Sequence, residues 1–188
     1  MYAFIGGTSA AGKTHIAKEF AKSSELLIHV VSIDDFRKEF AKDPKLKYWV
    51  NVLWNKNEDD YWKTITYEED IGNLVNQSEA FWPRILEIVK KTKKLYEHAI
   101  FEAIIIQPHL AKKDLDFPGF FLINEDKQTL QDRFEKLPRW GKTEKLQRTE
   151  IEFLLKHDVK FIKQEAKKYG YNVFNNSEDA MRELQNIF

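Results

Sequence analysis

The stretch Gly7-Thr8-Ser9-Ala10-Ala11-Gly12-Lys13-Thr14 matches the pattern GxxxxGK[ST] at every fixed position. The residues before it, Tyr2-Ala3-Phe4-Ile5, are rich in strand formers, and residues 15–21 carry apolar side chains at helical spacing. A strand, a glycine-rich turn and a helix N-terminus in this order aim backbone N–H groups and the positive end of the helix dipole at a phosphate. The sequence therefore predicts a loop that binds the phosphates of a nucleoside triphosphate.

Individual residues of this loop have separate expected roles. We expect Lys13 to reach the β- and γ-phosphates and act in catalysis, and the Thr14 hydroxyl to hold Mg²⁺. The alternative is a glycine-rich turn that merely lets a strand enter a helix. The expected cofactors are ATP and Mg²⁺, and the residues expected to bind the nucleotide are Gly7, Ser9, Ala10, Ala11, Gly12, Lys13, Thr14 and His15.

The composition describes an ordinary globular protein. The 188 residues are 43% hydrophobic and 32% charged, and no linker-like segment divides them, so we predict one domain over 1–188. Thirty basic and thirty acidic side chains cancel, which disfavours a nucleic-acid partner. The chain has no cysteine, and it shows neither a signal-like start nor an apolar run of membrane-spanning length. These features predict a cytoplasmic protein without a membrane partner, and they leave its oligomeric state open.

Apolar runs alternate with helical patterns along the chain. This alternation indicates an α/β fold with a parallel sheet covered by helices on both faces. The almost continuous apolar run at 99–106 is typical of a central parallel strand. Helices are predicted over about 67–97, 126–137 and 143–169. The predicted strands are 2–6, 26–33, 99–106, 119–123 and 171–174.

Two carboxylates lie where ligands bind in such sheets, beyond the carboxyl ends of the strands. Asp34 follows the second predicted strand, where it could orient or deprotonate an acceptor hydroxyl, and Arg37 could bind an anionic group of that acceptor. The alternative is that Asp34 or Asp35 only caps a helix. Glu102 falls within the most apolar run, where a carboxylate needs a partner, and we interpret it as a neighbour of Mg²⁺ rather than half of a buried salt bridge.

Two further segments are candidates for the remaining parts of an active site. Residues 133–148 follow the fourth predicted strand, where a small lid with arginines would close over the phosphates. Arg139, between Pro138 and Gly141, is the predicted catalytic arginine; Arg133 and Arg148 are the other candidates. Residues 44–97 are the predicted acceptor-binding region. Its aromatic residues could line a pocket or belong to the core; they are Tyr48, Trp49, Trp54, Tyr61 and Trp62.

Three segments together resemble the small P-loop kinases of the nucleoside-monophosphate-kinase-like group, and 2-phosphoglycerate kinases most closely. They are Ile5–Thr14, Ile33–Arg37 and Phe101–Pro108. The resemblance implies a three-layer P-loop NTPase fold with a five-stranded parallel sheet of order 2-3-1-4-5 and ATP with Mg²⁺. Ala103 stands where these kinases usually have glycine, and residues 44–66 have no matching counterpart. Zeta toxin-type kinases and nucleoside kinases share the same skeleton.

By position, the resemblance implies that Asp34 is the catalytic carboxylate, Arg37 an acceptor contact and Glu102 the acid near the metal. We therefore expect a phosphotransferase that moves the γ-phosphoryl group of ATP to a hydroxyl of a small, anionic metabolite. A nucleoside or nucleotide kinase is one alternative. A nucleotide-dependent binding switch with slow ATPase activity is another.

Overall fold

The computed structural model describes residues 1–51, 57–138 and 142–188. These residues form a five-stranded, all-parallel sheet of order β2-β3-β1-β4-β5, which confirms the predicted fold class and strand order. The strands are β1 (Tyr2–Gly7), β2 (Ile28–Ser32), β3 (His98–Glu102), β4 (Gly119–Leu122) and β5 (Val173–Phe174).

Helices follow each strand and cover the sheet. A 3₁₀ turn (Ile33–Phe36) leads from β2 into α2, and a π-helical turn (Leu154–Asp158) joins α8 to α9. The helices among the described residues are α1 (Lys13–Ser23), α2 (Arg37–Phe40), α3 (Pro44–Val50), α4 (Glu58–Thr64), α5 (Tyr67–Leu95), α6 (Pro108–Asp114), α7 (Lys127–Lys136), α8 (Glu144–Phe153), α9 (Val159–Tyr169) and α10 (Ser177–Ile187).

Two apolar layers lie on opposite faces of the sheet. Side chains alternate along each strand, so Ala3 and Ile5 of β1 join one layer and Phe4 joins the other. The first layer is closed by α1 and α10, and the second mainly by α5, α6 and α9. The result is a three-layer α/β architecture, with the carboxyl ends of β1, β2 and β3 meeting at one edge of the sheet.

The third strand is shorter than the apolar run that predicts it. Residues 99–106 were expected to form a strand, but β3 ends at Glu102. The Ala103 N–H still donates to Ile5, whereas the Ile104 N–H turns to the Asp34 carboxylate. Ile105 and Ile106 remain fully buried outside the sheet. Glu102 therefore lies at the carboxyl end of β3 rather than inside the strand. This position brings it to the edge of the sheet where the carboxyl ends of β1 and β2 also lie.

The long helix predicted over 143–169 is present but irregular, because the π-helical turn interrupts it. The predicted helix over 67–97 is the continuous α5, which keeps Pro83 in its interior. Among the described residues, no helix combines the length and the apolar composition that a membrane span requires.

Candidate active site

The loop between β1 and α1 has the backbone of an anion-binding turn. Gly7 and Gly12 adopt φ values of 123° and 101°, and Ala10 also has a positive φ of 53°. A Cβ atom on Gly7 would lie 1.9 Å from the Leu122 carbonyl oxygen, so glycine is required there by both conformation and space. The Thr8 N–H donates to that same oxygen, which ties the loop to β4.

Lys13 is held inside this loop. Its side chain is buried, and its Nζ donates to the Thr8 carbonyl oxygen at 2.7 Å and the Gly7 carbonyl oxygen at 3.4 Å. The ammonium group therefore reaches back from α1 to the start of the loop, where β1 ends. His15, by contrast, is exposed on the first turn of α1, and its contact with the nucleotide stays a prediction.

Thr14 and Glu102 form the candidate metal site. Residues at 100 and 102 of β3 share the face that α1 covers, and Thr14 Oγ1 donates to Glu102 Oε1 at 2.8 Å. Glu102 is 2% exposed, so a carboxylate oxygen and a hydroxyl oxygen are held together in a buried place beside the loop. Hard oxygen ligands of this kind, completed by phosphate and water oxygens, suit Mg²⁺. The residues present fit the expected metal.

Asp34 lies between two neighbouring strand ends. Its Oδ2 accepts from the Ile104 N–H at 3.3 Å, and its Oδ1 accepts from Arg37 Nε at 3.4 Å. Neither Asp34 nor Asp35 caps the following helix through its side chain. Arg37 also donates to Gln77 Oε1 at 3.5 Å. Asp34 is thus oriented from both sides and not used as a helix cap.

An arginine reaches the loop from α7. Arg133 Nη1 donates to the Ala10 carbonyl oxygen at 2.5 Å, and it lies 3.4 Å from the place where a Cβ on Gly12 would be. Arg139, the arginine that the sequence favoured, lies outside the described residues. Arg148 is exposed and pairs with Glu144 on its own helix. Arg133 is therefore the arginine that the described structure brings to the phosphate loop.

A pocket of about 490 Å³ opens beside the loop, and we call it the acceptor pocket. Ser9 belongs to its wall, so the pocket and the phosphate loop are continuous. Of the predicted aromatic residues, Tyr61 and Trp62 line it, Trp49 packs against the core, Tyr48 is exposed and Trp54 lies outside the described residues. Its other lining residues are Asp34, Asp35, Arg37, Asp70, Asn73, Leu74, Gln77, Ile104, Pro138, Glu150, Phe153, Leu154 and Asp158.

Three of these lining residues form what we call the acidic end of the pocket: Asp70, Glu150 and Asp158. Burial, and then the negative charges of Asp70 and Glu150, raise the pKa of Asp158 to about 8. Tyr61 donates its hydroxyl to Asp70 Oδ1 at 2.6 Å, and burial followed by the Asp70 charge raises the pKa of this tyrosine well above its usual value.

Sequence reasoning missed this acidic end. A signal for it is present, because Asp70, Asn73 and Gln77 recur at helical spacing on one side of α5. Glu150, Leu154 and Asp158 recur in the same way across the π-helical turn.

No family model matches this chain, and no curated protein sequence matches it. Among solved structures, the deoxyadenosine kinase from M. mycoides with bound dATP is 18% identical at a TM-score of 0.49, and the alignment covers 99% of this chain and 98% of that one. An uncharacterized protein from Eubacterium ventriosum ATCC 27560 is 16% identical at a TM-score of 0.48, and the alignment covers 99% of this chain and 96% of that one. The M. mycoides enzyme with the products dCMP and dCDP is 16% identical at a TM-score of 0.46, and the alignment covers 99% of this chain and 97% of that one. Likenesses at this level carry no functional argument.

Proposed function

We propose that this protein is an ATP-dependent phosphotransferase that moves the γ-phosphoryl group to a hydroxyl of a small molecule held in the acceptor pocket. The observation that carries the proposal is the continuity of the phosphate loop with this pocket through Ser9, with Asp34 in the pocket wall. A volume of about 490 Å³ lies within the usual range for small-molecule sites. A loop that only hydrolysed ATP would need no enclosed acceptor space next to it.

In the proposed reaction, the acceptor oxygen forms a bond to the γ-phosphorus while the bond to the β–γ bridging oxygen breaks and ADP leaves. Asp34 Oδ accepts the acceptor's proton, and Arg37 together with the Ile104 N–H keeps that carboxylate in place. Lys13 and the loop N–H groups stabilise charge on the phosphates, and Arg133 adds a second cation. Mg²⁺ held by Thr14 and Glu102 would neutralise phosphate charge. Arg139 stays a predicted further phosphate contact.

The test is a phosphate-transfer screen with Mg²⁺-ATP and a panel of hydroxy acids, amino alcohols, sugars, nucleosides and nucleotides, scored by the mass of the product. One phosphorylated class is the expected result, with transfer reduced by orders of magnitude in Lys13→Ala. Near-normal transfer by a folded Lys13→Ala variant would contradict the assignment. Bound ATP without product from any class would favour the nucleotide-dependent switch instead.

A nucleoside kinase is the second candidate, and a specific set of residues favours it. The pocket combines the rings of Trp62 and Phe153 with the side-chain amides of Asn73 and Gln77, which suits stacking and hydrogen bonding to a base. Gln77 is buried and its Nε2 donates to the Trp49 carbonyl oxygen at 2.6 Å, so its amide is held in a fixed orientation. The nucleosides in the same screen separate the two candidates.

A further inference from the structure

We propose that this protein binds the surface of an anionic lipid bilayer through a patch at the edge of the sheet where the strands begin. The patch combines five lysines with two leucines, and we call it the lysine–leucine patch. It is formed by the end of α5, the end of α6 and the turn before β2; its residues are Leu27, Lys90, Lys91, Lys94, Leu95, Lys112 and Lys113. None of these residues lines the acceptor pocket, so the proposal does not depend on the proposed function.

Contacts between elements bring the members of the patch to one side of the molecule. Ile28 and His98, the first residues of β2 and β3, are register partners, so the chain before each strand lies at the same edge of the sheet. The rings of His29 and Tyr96 stack with their centroids 3.9 Å apart, which joins β2 to the residue that follows α5. Leu27 and the end of α5 therefore lie close together.

The end of α6 lies against the same part of α5. Lys93 Nζ donates to Asp116 Oδ1 at 2.8 Å, and Trp82 Nε1 donates to Asp114 Oδ2 at 2.7 Å. Asp114 is the last residue of α6. The exposed lysine pair that precedes it therefore lies beside α5 as well.

The exposed side of α5 carries the remaining lysines. Lys90 and Lys94 are four residues apart, as are Lys91 and Leu95, so the members of each pair are neighbours on the helix surface. This side of α5 is opposite to the residues of the same turns that are buried in the core. Three cations and one leucine therefore share one exposed face of the helix.

The positive charge of the patch is not neutralised within the molecule. None of its five lysines forms a salt bridge in the part of the chain that the structure describes, whereas the neighbouring Lys93 pairs with Asp116. Glu25 and Glu97 are exposed on the turns that border the patch, and Asp114 accepts an indole N–H. Lysines outnumber carboxylates here, although the charges of the whole chain cancel. The net charge of zero therefore does not describe this edge of the molecule.

The two leucines are the second argument for a partner. Leu27 is 91% exposed and Leu95 is 63% exposed. A single exposed leucine is ordinary, but these two lie at one edge of the sheet beside the lysines. A lysine in the last turn of a helix complements the helix dipole, which accounts for Lys94 and for the pair on α6. The dipole gives no reason for Lys90, for Lys91 or for the leucines.

This combination fits an anionic bilayer better than a nucleic acid. Anionic headgroups attract lysines near the membrane surface. Leucine side chains enter the boundary between headgroups and acyl chains, while lysine ammonium groups stay in the water at the ends of their long stems. A nucleic-acid backbone would also attract the lysines, but its phosphates and sugars offer no apolar region to Leu27 and Leu95.

Binding through this patch would leave the proposed active site open. The phosphate loop begins where β1 ends, and the six residues of β1 span about 20 Å. The acceptor pocket is continuous with that loop, whereas the patch lies at the opposite edge of the sheet. A bilayer bound at the patch would therefore not cover the pocket.

The experiment is co-sedimentation of the intact protein with vesicles of two compositions. One is phosphatidylcholine alone, and the other contains about one-third phosphatidylserine. We expect partitioning onto the anionic vesicles to be at least tenfold stronger, and to weaken at least tenfold in about 1 M salt, where surface charges are screened. Equal partitioning onto both compositions, or no binding to either, would overturn the proposal.

Variants that remove charge test whether the patch is responsible. The triple variant Lys90→Gln/Lys91→Gln/Lys94→Gln is expected to bind anionic vesicles at least tenfold more weakly than the parent. The matched control is Lys18→Gln/Lys38→Gln/Lys145→Gln, which removes the same charge from exposed positions on α1, α2 and α8. We expect the control to change binding by less than threefold. A patch variant that binds like this control would overturn the proposal.

Removal of the leucines distinguishes a bilayer from other polyanions. Leu27→Ser/Leu95→Ser keeps every lysine, and we expect it to bind anionic vesicles at least fivefold more weakly, with an unchanged midpoint of thermal unfolding. Full retention of vesicle binding in this variant would overturn the bilayer assignment. A mixed-sequence RNA duplex is the competing probe. Duplex binding that is tighter than vesicle binding, and that the triple lysine variant loses, would identify a nucleic-acid backbone as the partner instead.

Saturating Mg²⁺-ATP separates this proposal from the proposed function. The patch and the phosphate loop lie at opposite edges of the sheet, so vesicle affinity should not change. Vesicle binding that Mg²⁺-ATP displaces would place a lipid phosphate in the phosphate loop and overturn the proposal. The phosphate-transfer screen, carried out without lipid, tests the kinase alone, and its failure would leave the lysine–leucine patch standing.

Discussion

Asp34 is the residue whose charge the proposed reaction requires, because its carboxylate accepts the proton of the acceptor hydroxyl. Asp34→Asn keeps the shape of the side chain but removes the charge that accepts a proton. We expect kcat to fall by roughly 10²–10⁴-fold, the usual worth of a general base, with ATP affinity unchanged. Steady-state kinetics and titration with ATP measure the two effects separately. The control is Asp35→Asn, a neighbouring carboxylate in the same pocket, which should retain most activity. An active Asp34→Asn enzyme would reduce this residue to a structural role.

Arg133 tests whether α7 contributes directly to phosphate binding. Its guanidinium reaches the Ala10 carbonyl oxygen, so it lies beside the expected phosphates although the residue itself is largely exposed. Arg133→Ala is expected to lower kcat roughly 10²-fold, as loss of one charge-stabilising donor does. Lys136→Ala, an exposed cation on the same helix, should change kcat less than twofold. Equal kinetics for the two variants would show that the arginine only braces the loop.

The phosphate loop as an element depends on its glycine backbone. Gly7→Ala would force a side chain into a positive φ, and its Cβ would lie only 1.9 Å from the Leu122 carbonyl oxygen. We expect the free energy of unfolding to fall by about 2–6 kcal/mol from backbone strain and overpacking together. Gly72→Ala is the control, since a Cβ there meets nothing within 4 Å and the residue lies within α5. Urea denaturation should show Gly72→Ala stabilised by about 0.5–1 kcal/mol. Equal stabilities would contradict the loop geometry.

The sequence predicts an element well when residues close to it in the chain determine its structure, and poorly when contacts distant in sequence determine it. Apolar runs predict the five parallel strands, and the GxxxxGK[ST] pattern predicts the loop, because burial and glycine conformation are read from neighbouring residues. The end of β3 at Glu102 is not predictable in this way, since it depends on Asp34 accepting from the Ile104 N–H across 70 residues. The approach of Arg133 to the loop and the meeting of Asp70 with Asp158 are also long-range. Lid arginine Arg139 stays a prediction.

The π-helical turn makes stability depend on pH through Asp158. Its folded-state pKa of about 8 lies above the value of about 3.9 expected in the unfolded chain. Between these values the folded state holds a proton that the unfolded state has lost, so the free energy of unfolding falls as pH rises from about 4 to 8. Asp158→Asn should remove this contribution. Thermal unfolding should therefore show the variant gaining stability over the parent as pH rises; a constant difference would contradict the assignment.

At the level of the whole molecule, the proposed site joins segments that are distant in sequence. The loop follows β1, Asp34 follows β2, Glu102 ends β3, Arg133 belongs to α7 after β4, and the acidic end lies on α5, α8 and the π-helical turn. Parallel strands make this possible, because their carboxyl ends meet at one edge of the sheet. A ligand held by so many segments binds the folded state and not the unfolded chain, so nucleotide binding must be visible as global stability.

Mg²⁺-ATP should therefore raise the midpoint of thermal unfolding of the entire domain. At a hundredfold excess over its Kd, the ligand adds about 2.7 kcal/mol to the free energy of unfolding. Because each kcal/mol shifts the midpoint of a chain of this size by about 2–4 °C, we expect a rise of roughly 5–10 °C. Lys13→Ala should lose most of this shift, because the buried ammonium that spans the loop is gone. Lys18→Ala, an exposed lysine on the same helix, should keep it. Scanning calorimetry measures all three, and an unchanged shift in Lys13→Ala would place the nucleotide somewhere other than this loop.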